Sequence, residues 1–138
     1  MRKAIALVAV VAMLLLAVAP VAVLAGPGLR WDWSYGTGLN QSDDDCDFIA
    51  LPFPFTYYGE TYNGVWVNSN GNVTFDDCLT DWSHPDIPDG DNVIIGTLYG
   101  DFNPFIAGDV YFNSFGSSPY QRFVVTWDTV PEYSPEDT

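Results

Sequence analysis

Apolar and polar residues alternate along several short stretches of the chain, as they do in β-strands that bury one face. The clearest cases are residues 121–130 and 109–114, separated by the turn-rich sequence Phe115–Pro119. Since successive side chains of a strand point to opposite faces, every second residue in these stretches would enter a core. The side chains predicted to be buried in this way are Val110, Phe112, Phe123, Val125 and Trp127.

Two other stretches do not alternate cleanly, and each predicts a different position in a sheet. Val93–Tyr99 is an apolar run between turn residues, so we expect it to form a central strand with Ile94 in the core. Phe48–Phe55 contains Pro52 and Pro54, which lack the amide hydrogen that a central strand needs. We therefore place this second stretch at a sheet edge or in an extended crossing.

The dipeptide Asn70-Gly71, between V-W-V-N and N-V-T-F, is the sharpest local signal in the chain. Asn-Gly favours a two-residue type I′ turn, because both central residues of that turn need positive φ. Such a turn would pair Trp66 with Phe75. It would place Trp66, Val73 and Phe75 on one face, which we predict to be the core face. A loop of three or four residues would shift this register.

Beyond the N-terminal leader, no stretch has helical periodicity, and Gly and Pro recur between the short strand-like segments. This pattern predicts an all-β fold, either an antiparallel β-sandwich or an open barrel. Trp31–Tyr35 alternates as an edge strand or an extended arm would, and Asp76–Asn92 reads as a long acidic loop.

The N-terminus has the three parts of a secretory signal peptide: a basic start, an apolar run over residues 4–19, and small residues up to Ala25. We expect a signal-peptide helix over residues 1–25 with cleavage after Ala25. The protein would then be secreted or held at the cell surface. The alternative is an uncleaved signal anchor, since residues 4–25 are long enough to cross a bilayer.

The chain carries four basic and 18 acidic side chains, a net charge of −14 at pH 7. Two of the basic residues lie in the leader, so only Arg30 and Arg122 would balance the acids of the exported part. A surface of this charge repels phosphate groups, which argues against a nucleic-acid partner and against binding to an anionic membrane. Membrane contact is expected only through the signal peptide during export.

Cys46 and Cys78 are the only cysteines, and both lie in the exported part. In an oxidising compartment a single pair is most simply a disulfide. This bond would tie the loop before the first core strand to the end of the Asn-Gly hairpin. A two-cysteine metal site is the alternative, but His84 is the only histidine, so zinc would lack further soft ligands.

The motifs L-P-F-P-F-x-Y-Y-G and V-W-V-N-S-N-G-N-V-T-F lie between Phe48 and Phe75. This segment resembles the opening of nidogen-like domains, including related modules of exported bacterial and archaeal surface proteins. The likeness extends over residues 48–131 and includes the stretches 93–101, 108–112 and 122–127. It implies an extracellular β-rich module of adhesion, matrix or mucin-type proteins, with no catalytic residues.

The leader and the resemblance together divide the chain into four parts. Residues 1–25 are the signal peptide, residues 26–47 an N-terminal arm and acidic loop, residues 48–131 the nidogen-like domain, and residues 132–138 a tail. In nidogen-like domains further strands normally follow the one that matches Phe123–Trp127. The resemblance therefore implies a domain that is C-terminally incomplete here and belongs to a larger exported protein. The alternative is a domain that closes differently.

Aspartate clusters in the loops are candidates for binding calcium, which takes six to eight oxygen ligands. A disulfide would draw two of these clusters together, and a cation would relieve the repulsion between them. The predicted ligands are Asp43, Asp45, Asp47, Asp76 and Asp77. The spacing does not match an EF-hand, and a solvated acidic loop is the simpler alternative.

Exposed aromatic side chains can stack on sugar rings, and the candidates for this role are Trp82, Tyr57 and Tyr58. The sequence indicates no catalytic site. It has no nucleophile elbow, and a chain with so many aspartates places two of them near each other by chance, without the paired roles that glycoside hydrolysis requires.

Together with the leader, the resemblance implies a non-enzymatic adhesion or matrix-type module of the cell surface or extracellular space, in a bacterial or archaeal envelope. Its partner would be an extracellular protein or a glycan. Two alternatives remain open: a calcium-assisted carbohydrate-binding module, and a fragment of a secreted hydrolase.

Overall fold

The computed structural model describes residues 34–83 and 92–134. The predicted signal peptide, Trp31 and Trp33 of the predicted arm, and His84 lie outside the described residues. Within the described ranges, no helix is long and apolar enough to cross a membrane.

Seven antiparallel strands form two sheets, and the described part of the chain contains no helix. In chain order the strands are β1 Thr37–Gly38, β2 Cys46–Tyr57, β3 Glu60–Asn68, β4 Asn72–Thr74, β5 Ile94–Gly96, β6 Asp109–Phe115 and β7 Arg122–Asp128. One sheet has the order β2-β3-β4-β5 and the other β1-β6-β7. The all-β prediction is confirmed, and the sheets face each other as a sandwich without closing into a barrel.

Strand β2 lies at the edge of its sheet, as its prolines predicted. Its pairing with β3 shifts between Ala50 and Phe55, the stretch that contains Pro52 and Pro54. A proline cannot donate to a ladder, so the strand bends away from β3 here and pairs again further along.

The predicted register of the β3–β4 hairpin is wrong by one residue. Asn68 pairs with Asn72 and Val67 with Val73, so the loop has three residues instead of two. Of the two residues in the Asn-Gly pair, only Gly71 has a positive φ, of 77°. A three-residue loop that ends in one left-handed glycine is the next most common hairpin connection, and it needs no positive φ at Asn70.

The shifted register reverses one predicted burial. Phe75 stays on the core face, but Trp66 now lies on the outer face, where its ring meets that of Phe48 edge-on at 5.3 Å. Residues opposite each other on paired strands share a face, so Trp66 lies beside Thr74 and the two asparagines, not beside Phe75.

The prediction of a central strand over Val93–Tyr99 is also wrong. Only Ile94–Gly96 is a strand, and it forms the edge of its sheet next to β4. The chain then wraps around the β3–β4 turn, which leaves the Leu98 side chain 67% exposed. The apolar composition of Val93–Tyr99 did not distinguish the strand, Ile94–Gly96, from the loop that follows it.

The core lies between the sheets. Its buried members are Val65, Val67, Phe75 and Val110. The Phe75 ring stacks against Phe55 at 5.6 Å and packs at a tilt against Tyr62 at 4.6 Å. Among the other residues assigned to the core, Ile94 is buried, and Phe112 is partly buried against Phe123. The partly buried residues that pack on the core include Val73, Phe123, Val125 and Trp127.

Candidate functional site

The turn between β3 and β4 is buried, although hairpin turns usually face solvent. Ser69 and Asn70 are both 0% exposed. The Asn70 side-chain amide donates to the Asp44 carboxylate at 3.0 Å and to the Thr80 carbonyl at 3.3 Å. Its carbonyl oxygen accepts from the Phe102 amide at 2.9 Å. One asparagine therefore holds three separate loops at the same end of the sandwich.

Gly71 completes this junction. Its carbonyl oxygen accepts from the Thr97 and Leu98 amides at 3.3 and 3.2 Å, so the loop after β5 is fixed to the turn. A side chain at this position would need the unfavourable φ of 77°, and its Cβ would lie 3.0 Å from the Leu98 carbonyl oxygen and from the Phe102 ring. Glycine is required here both for the backbone angle and for the close approach of the loop.

Ser69 fixes the loop before β2. Its amide donates to the Asp45 carbonyl at 2.9 Å, and its hydroxyl accepts from the Asp45 amide at 3.1 Å. This reciprocal pair holds residues 43–45 against the buried turn. Residues 43–45 are thus a fixed part of the fold, tied to the turn by one backbone–backbone hydrogen bond and one hydrogen bond to the Ser69 hydroxyl.

Three carboxylates meet where these loops converge. Asp43, Asp44 and Asp101 each place an oxygen within 4.8 Å of the others. They line an open cleft of about 370 Å³ together with Trp82 and Tyr133. The Tyr133 amide donates to the Asp101 carbonyl at 2.7 Å, which fixes the far wall of this acidic cleft.

The electrostatics of the cleft centre on Asp43. Partial burial raises the pKa of its carboxyl above the ordinary value, and the nearby Asp44 and Asp101 carboxylates raise it further. One Asp43 carboxylate oxygen is shielded from solvent and has no hydrogen-bond partner among the described residues. An ionised Asp43 is therefore poorly compensated in this arrangement.

Three carboxylate oxygens at this spacing are the type of ligand that hard cations such as calcium prefer. Of the five aspartates predicted as calcium ligands, the structure places only Asp43 in this cluster. The other four accept hydrogen bonds from nearby groups: Asp45 from the Ser42 amide, Asp47 from the Gln41 side chain, Asp76 from the Val93 amide and Asp77 from the Cys78 amide.

The sequence analysis did not assign two members of the cluster to a site: Asp44, which adjoins Asp43 in the chain, and Asp101. Asp101 lies far along the chain from Asp43, and only the loop after β5, folded back over the β3–β4 turn, brings them together. The one available signal was its position as the first acidic residue after the apolar run at 93–99.

The predicted disulfide joins Cys46 and Cys78, with their Cα atoms 6.0 Å apart. Cys46 begins β2 and Cys78 lies in the loop after β4, so the bond holds this loop against the outer face of the hairpin. The prediction of a disulfide is confirmed.

Beneath that loop lies a buried network of polar side chains. The Asn68 amide donates to the Asn72 side-chain oxygen at 2.7 Å and to the Thr74 hydroxyl at 3.1 Å. Its side-chain oxygen accepts from the Leu79 amide at 3.0 Å, and the Thr74 hydroxyl donates to the Asp77 carbonyl. Buried polar groups require such partners, so the network specifies how the loop sits on the hairpin.

The three aromatic residues predicted to bind ligand do not form one site. Trp82 is 64% exposed and lines the acidic cleft. Tyr58 is 89% exposed at the β2–β3 turn, and Tyr57 beside it packs on the core with its ring 5.5 Å from that of Phe75. Strand β3 has nine residues and separates the two turns by roughly 30 Å. Of the three aromatic residues, only Trp82 therefore lies near the carboxylates.

The fold and the site together define a disulfide-bonded, all-β module with an acidic cleft formed by loops. The model of the NIDO-related family matches residues 32–138, so the chain belongs to the NIDO-related family. This agrees with the resemblance to nidogen-like domains. Comparison with curated proteins and with solved structures gave no match.

Proposed function

We propose that this protein is a non-enzymatic module of the extracellular space or cell surface, in a bacterial or archaeal envelope. It would bind an extracellular protein or a glycan through the loop end of the sandwich. The family match over residues 32–138 is the observation that carries this proposal. The disulfide supports it, because such bonds persist in oxidising compartments outside the cytosol.

The loop end suits recognition because its backbone is fixed in advance. Hydrogen bonds from the buried turn hold the loops before β2 and after β5, and the disulfide holds the loop after β4. Fixed loops lose little conformational entropy when they bind a partner, so more of the contact energy contributes to affinity. A rigid sheet scaffold that presents polar loops is a common arrangement for binding proteins.

Binding of the purified, oxidised protein to intact cells of the producing organism tests this proposal. The labelled protein should bind saturably, and a variant with Asp44→Ala and Trp82→Ala should bind at least tenfold more weakly. A Tyr120→Ala variant, which changes an exposed aromatic outside the acidic cleft, serves as the matched control. Binding no stronger than that of an unrelated acidic protein would contradict the proposal.

A calcium-assisted carbohydrate-binding module is the second candidate, and the exposed Trp82 beside three carboxylates is the observation that favours it. Calcium would link the carboxylates to sugar hydroxyls while the indole stacks on the ring. Calcium should then raise the melting temperature, and Trp82→Ala should abolish retention on the glycans that the protein binds in an array. An identical melting transition with calcium and with chelator would exclude a structural ion.

The hydrolase alternative needs two carboxyls with opposed roles, one held protonated and one ionised. The raised pKa of Asp43 follows from burial and from two like charges, which is the behaviour of a crowded cluster. Turnover of any polysaccharide that is lost in an Asp101→Asn variant would favour the hydrolase over the binding module.

A further inference from the structure

Asparagine is followed by glycine twice in the chain, at Asn63-Gly64 and at Asn70-Gly71. This dipeptide is the sequence context in which asparagine loses its side-chain amide most readily, because glycine has no side chain to hinder attack by its own backbone nitrogen. In an unfolded chain the two sites should therefore react at comparable rates. The fold separates them, since Asn63 is exposed on β3 and Asn70 is 0% exposed.

The reaction at Asn70 needs only the chain and water. The Gly71 nitrogen gives its proton to solvent and attacks the side-chain carbonyl carbon of Asn70. The side-chain nitrogen takes up a proton and leaves as ammonia, which closes a five-membered succinimide ring. Water then adds to one ring carbonyl and reopens the ring. Addition at the side-chain carbonyl gives aspartate, and addition at the backbone carbonyl gives isoaspartate.

The closed fold holds Asn70 away from this reaction. Ring closure requires the side chain and the following peptide group to rotate towards each other, out of a staggered geometry. The side-chain hydrogen bonds of Asn70 to Asp44, Thr80 and Phe102 oppose this rotation. The Asn70 backbone carbonyl also accepts from the Gly100 amide at 3.1 Å, which fixes the peptide group. Burial keeps out the water that must carry the protons and open the ring.

The disulfide controls one of these contacts. Cys78 lies two residues before Thr80, whose carbonyl accepts a hydrogen bond from the Asn70 side chain. The bond from Cys78 to Cys46 holds this loop to the start of β2. Without the disulfide the loop can open locally, and the Asn70 amide then meets solvent.

Neither product of the reaction fits the closed loop end. Aspartate would replace an amide that donates two hydrogen bonds with a carboxylate that faces the Asp44 carboxylate and the Thr80 carbonyl. Asp44 already lies in a cluster with Asp43 and Asp101, so a further negative charge is repelled. Isoaspartate would add a methylene group to the main chain of a three-residue turn, which breaks the register of the hairpin.

We infer that Asn70-Gly71 is a latent deamidation site. It is unreactive while the oxidised loop end is closed, and it converts to aspartate or isoaspartate once that end opens. The modification then prevents the loops from closing again on the buried turn, so loss of the disulfide leaves a permanent mark. This chemistry does not depend on what the protein binds, and the inference therefore stands or falls apart from the proposed function.

Incubation of the purified protein in heavy-oxygen water at neutral pH tests the inference, because each new carboxylate takes one oxygen from that water. Peptide mapping by mass spectrometry then reads Asn70 and Asn63 separately. Asn70 should react more slowly in the oxidised, folded protein than in the reduced protein in urea, by about tenfold or more. In the unfolded chain Asn63 is the internal reference and should match Asn70 within about threefold. Equal rates at Asn70 in the folded and unfolded protein would overturn the inference.

Two changes to the protein test what guards the site. Asp44→Ala removes one acceptor of the Asn70 amide and should speed the reaction at Asn70 severalfold in the oxidised protein. Asp81→Ala, at an exposed position outside the acidic cleft, is the matched control and should leave the rate unchanged. Replacing Cys46 and Cys78 with Ala should speed the reaction by about tenfold or more without denaturant. An unchanged rate in the cysteine variant would show that the disulfide does not guard Asn70.

The consequence of the reaction is tested with Asn70→Asp, which reproduces one product. This variant should melt well below the parent protein at neutral pH. Asn63→Asp adds the same charge at an exposed position on β3 and should melt close to the parent. Failure of Asn70→Asp to fold would agree with the inference, and the rates in the parent protein would still test it. Equal melting temperatures for the two variants would contradict a loop end that stays open after deamidation.

Discussion

Asparagine side chains occupy much of the buried outer face of the hairpin between β3 and β4. Asn68 and Asn72 are opposite each other and both are 0% exposed, enclosed by the loop that carries Cys78. A buried amide is tolerated when its donors and acceptor are all used, and Asn68 meets this condition with three partners. The polar residues on this face of the hairpin therefore contact the loop and do not face solvent.

Replacing Asn68 should therefore be costly. Asn68→Ala removes three hydrogen bonds and leaves the Leu79 amide and the Asn72 side-chain oxygen buried without this partner, which should lower the free energy of unfolding by about 2–3 kcal/mol. Asn63→Ala, at an exposed position on the same strand, should lower it by less than about 0.5 kcal/mol. Urea unfolding of both variants checks this, and equal losses would contradict a structural network.

Asp43 should make the stability of the protein depend on pH, and the direction of this dependence follows from its raised pKa. Its carboxyl has a pKa above the ordinary 3.8 in the folded protein, because of burial first and the Asp44 and Asp101 charges second. The folded state therefore binds this proton more tightly than the unfolded state. The contribution of Asp43 to stability falls as pH rises through the raised pKa, and it recovers as pH drops back through it.

Asp43→Asn should accordingly raise the melting temperature at pH 7 in the presence of chelator, and the gain should vanish near pH 4. Asp81→Asn changes the net charge equally at an exposed position outside the cluster, so it corrects for general charge relief. A gain from Asp43→Asn that matches the gain from Asp81→Asn, or that persists at pH 4, would show that Asp43 is not crowded.

At the scale of elements, alternation predicted the strands well and their pairing less well. Residues 109–115 and 122–128 are the strands that the pattern indicated, since period-two burial is a local property. The hairpin register depended on whether the turn had two or three residues. That choice was decided by contacts of Asn70 with Asp44, Thr80 and Phe102, which no local pattern contains.

The disulfide is the element-scale feature with the largest expected effect. Cys46 and Cys78 are 32 residues apart, so their bond should stabilise the fold by roughly 3–4 kcal/mol through the entropy of the unfolded chain. Replacing both with Ala should lower the free energy of unfolding by that amount and speed hydrogen exchange at the Leu79 amide. Reductant should affect the parent protein and leave the double variant unchanged; a parent protein insensitive to reductant would contradict this expectation.

At the scale of the whole molecule, the sequence predicted the fold class, the disulfide and the family resemblance, while the acidic cleft needed the structure. Asp43 and Asp101 are far apart in sequence, and they meet because two loops are held to one buried turn. An apolar cleft of about 420 Å³, lined by residues of the four-stranded sheet and of β7, is likewise a property of two sheets of unequal width. Neither cleft can be predicted from a periodic pattern in the sequence, because both arise from contacts between distant segments.

The proposed function requires that the chain be exported and oxidised, and intact-mass analysis of the protein in its producing cells measures both. We expect the chain in the extracellular or envelope fraction, starting at Gly26 and lighter by about two hydrogens because Cys46 and Cys78 are joined. A full-length chain that stays in the cytoplasmic fraction with both thiols free would contradict the account.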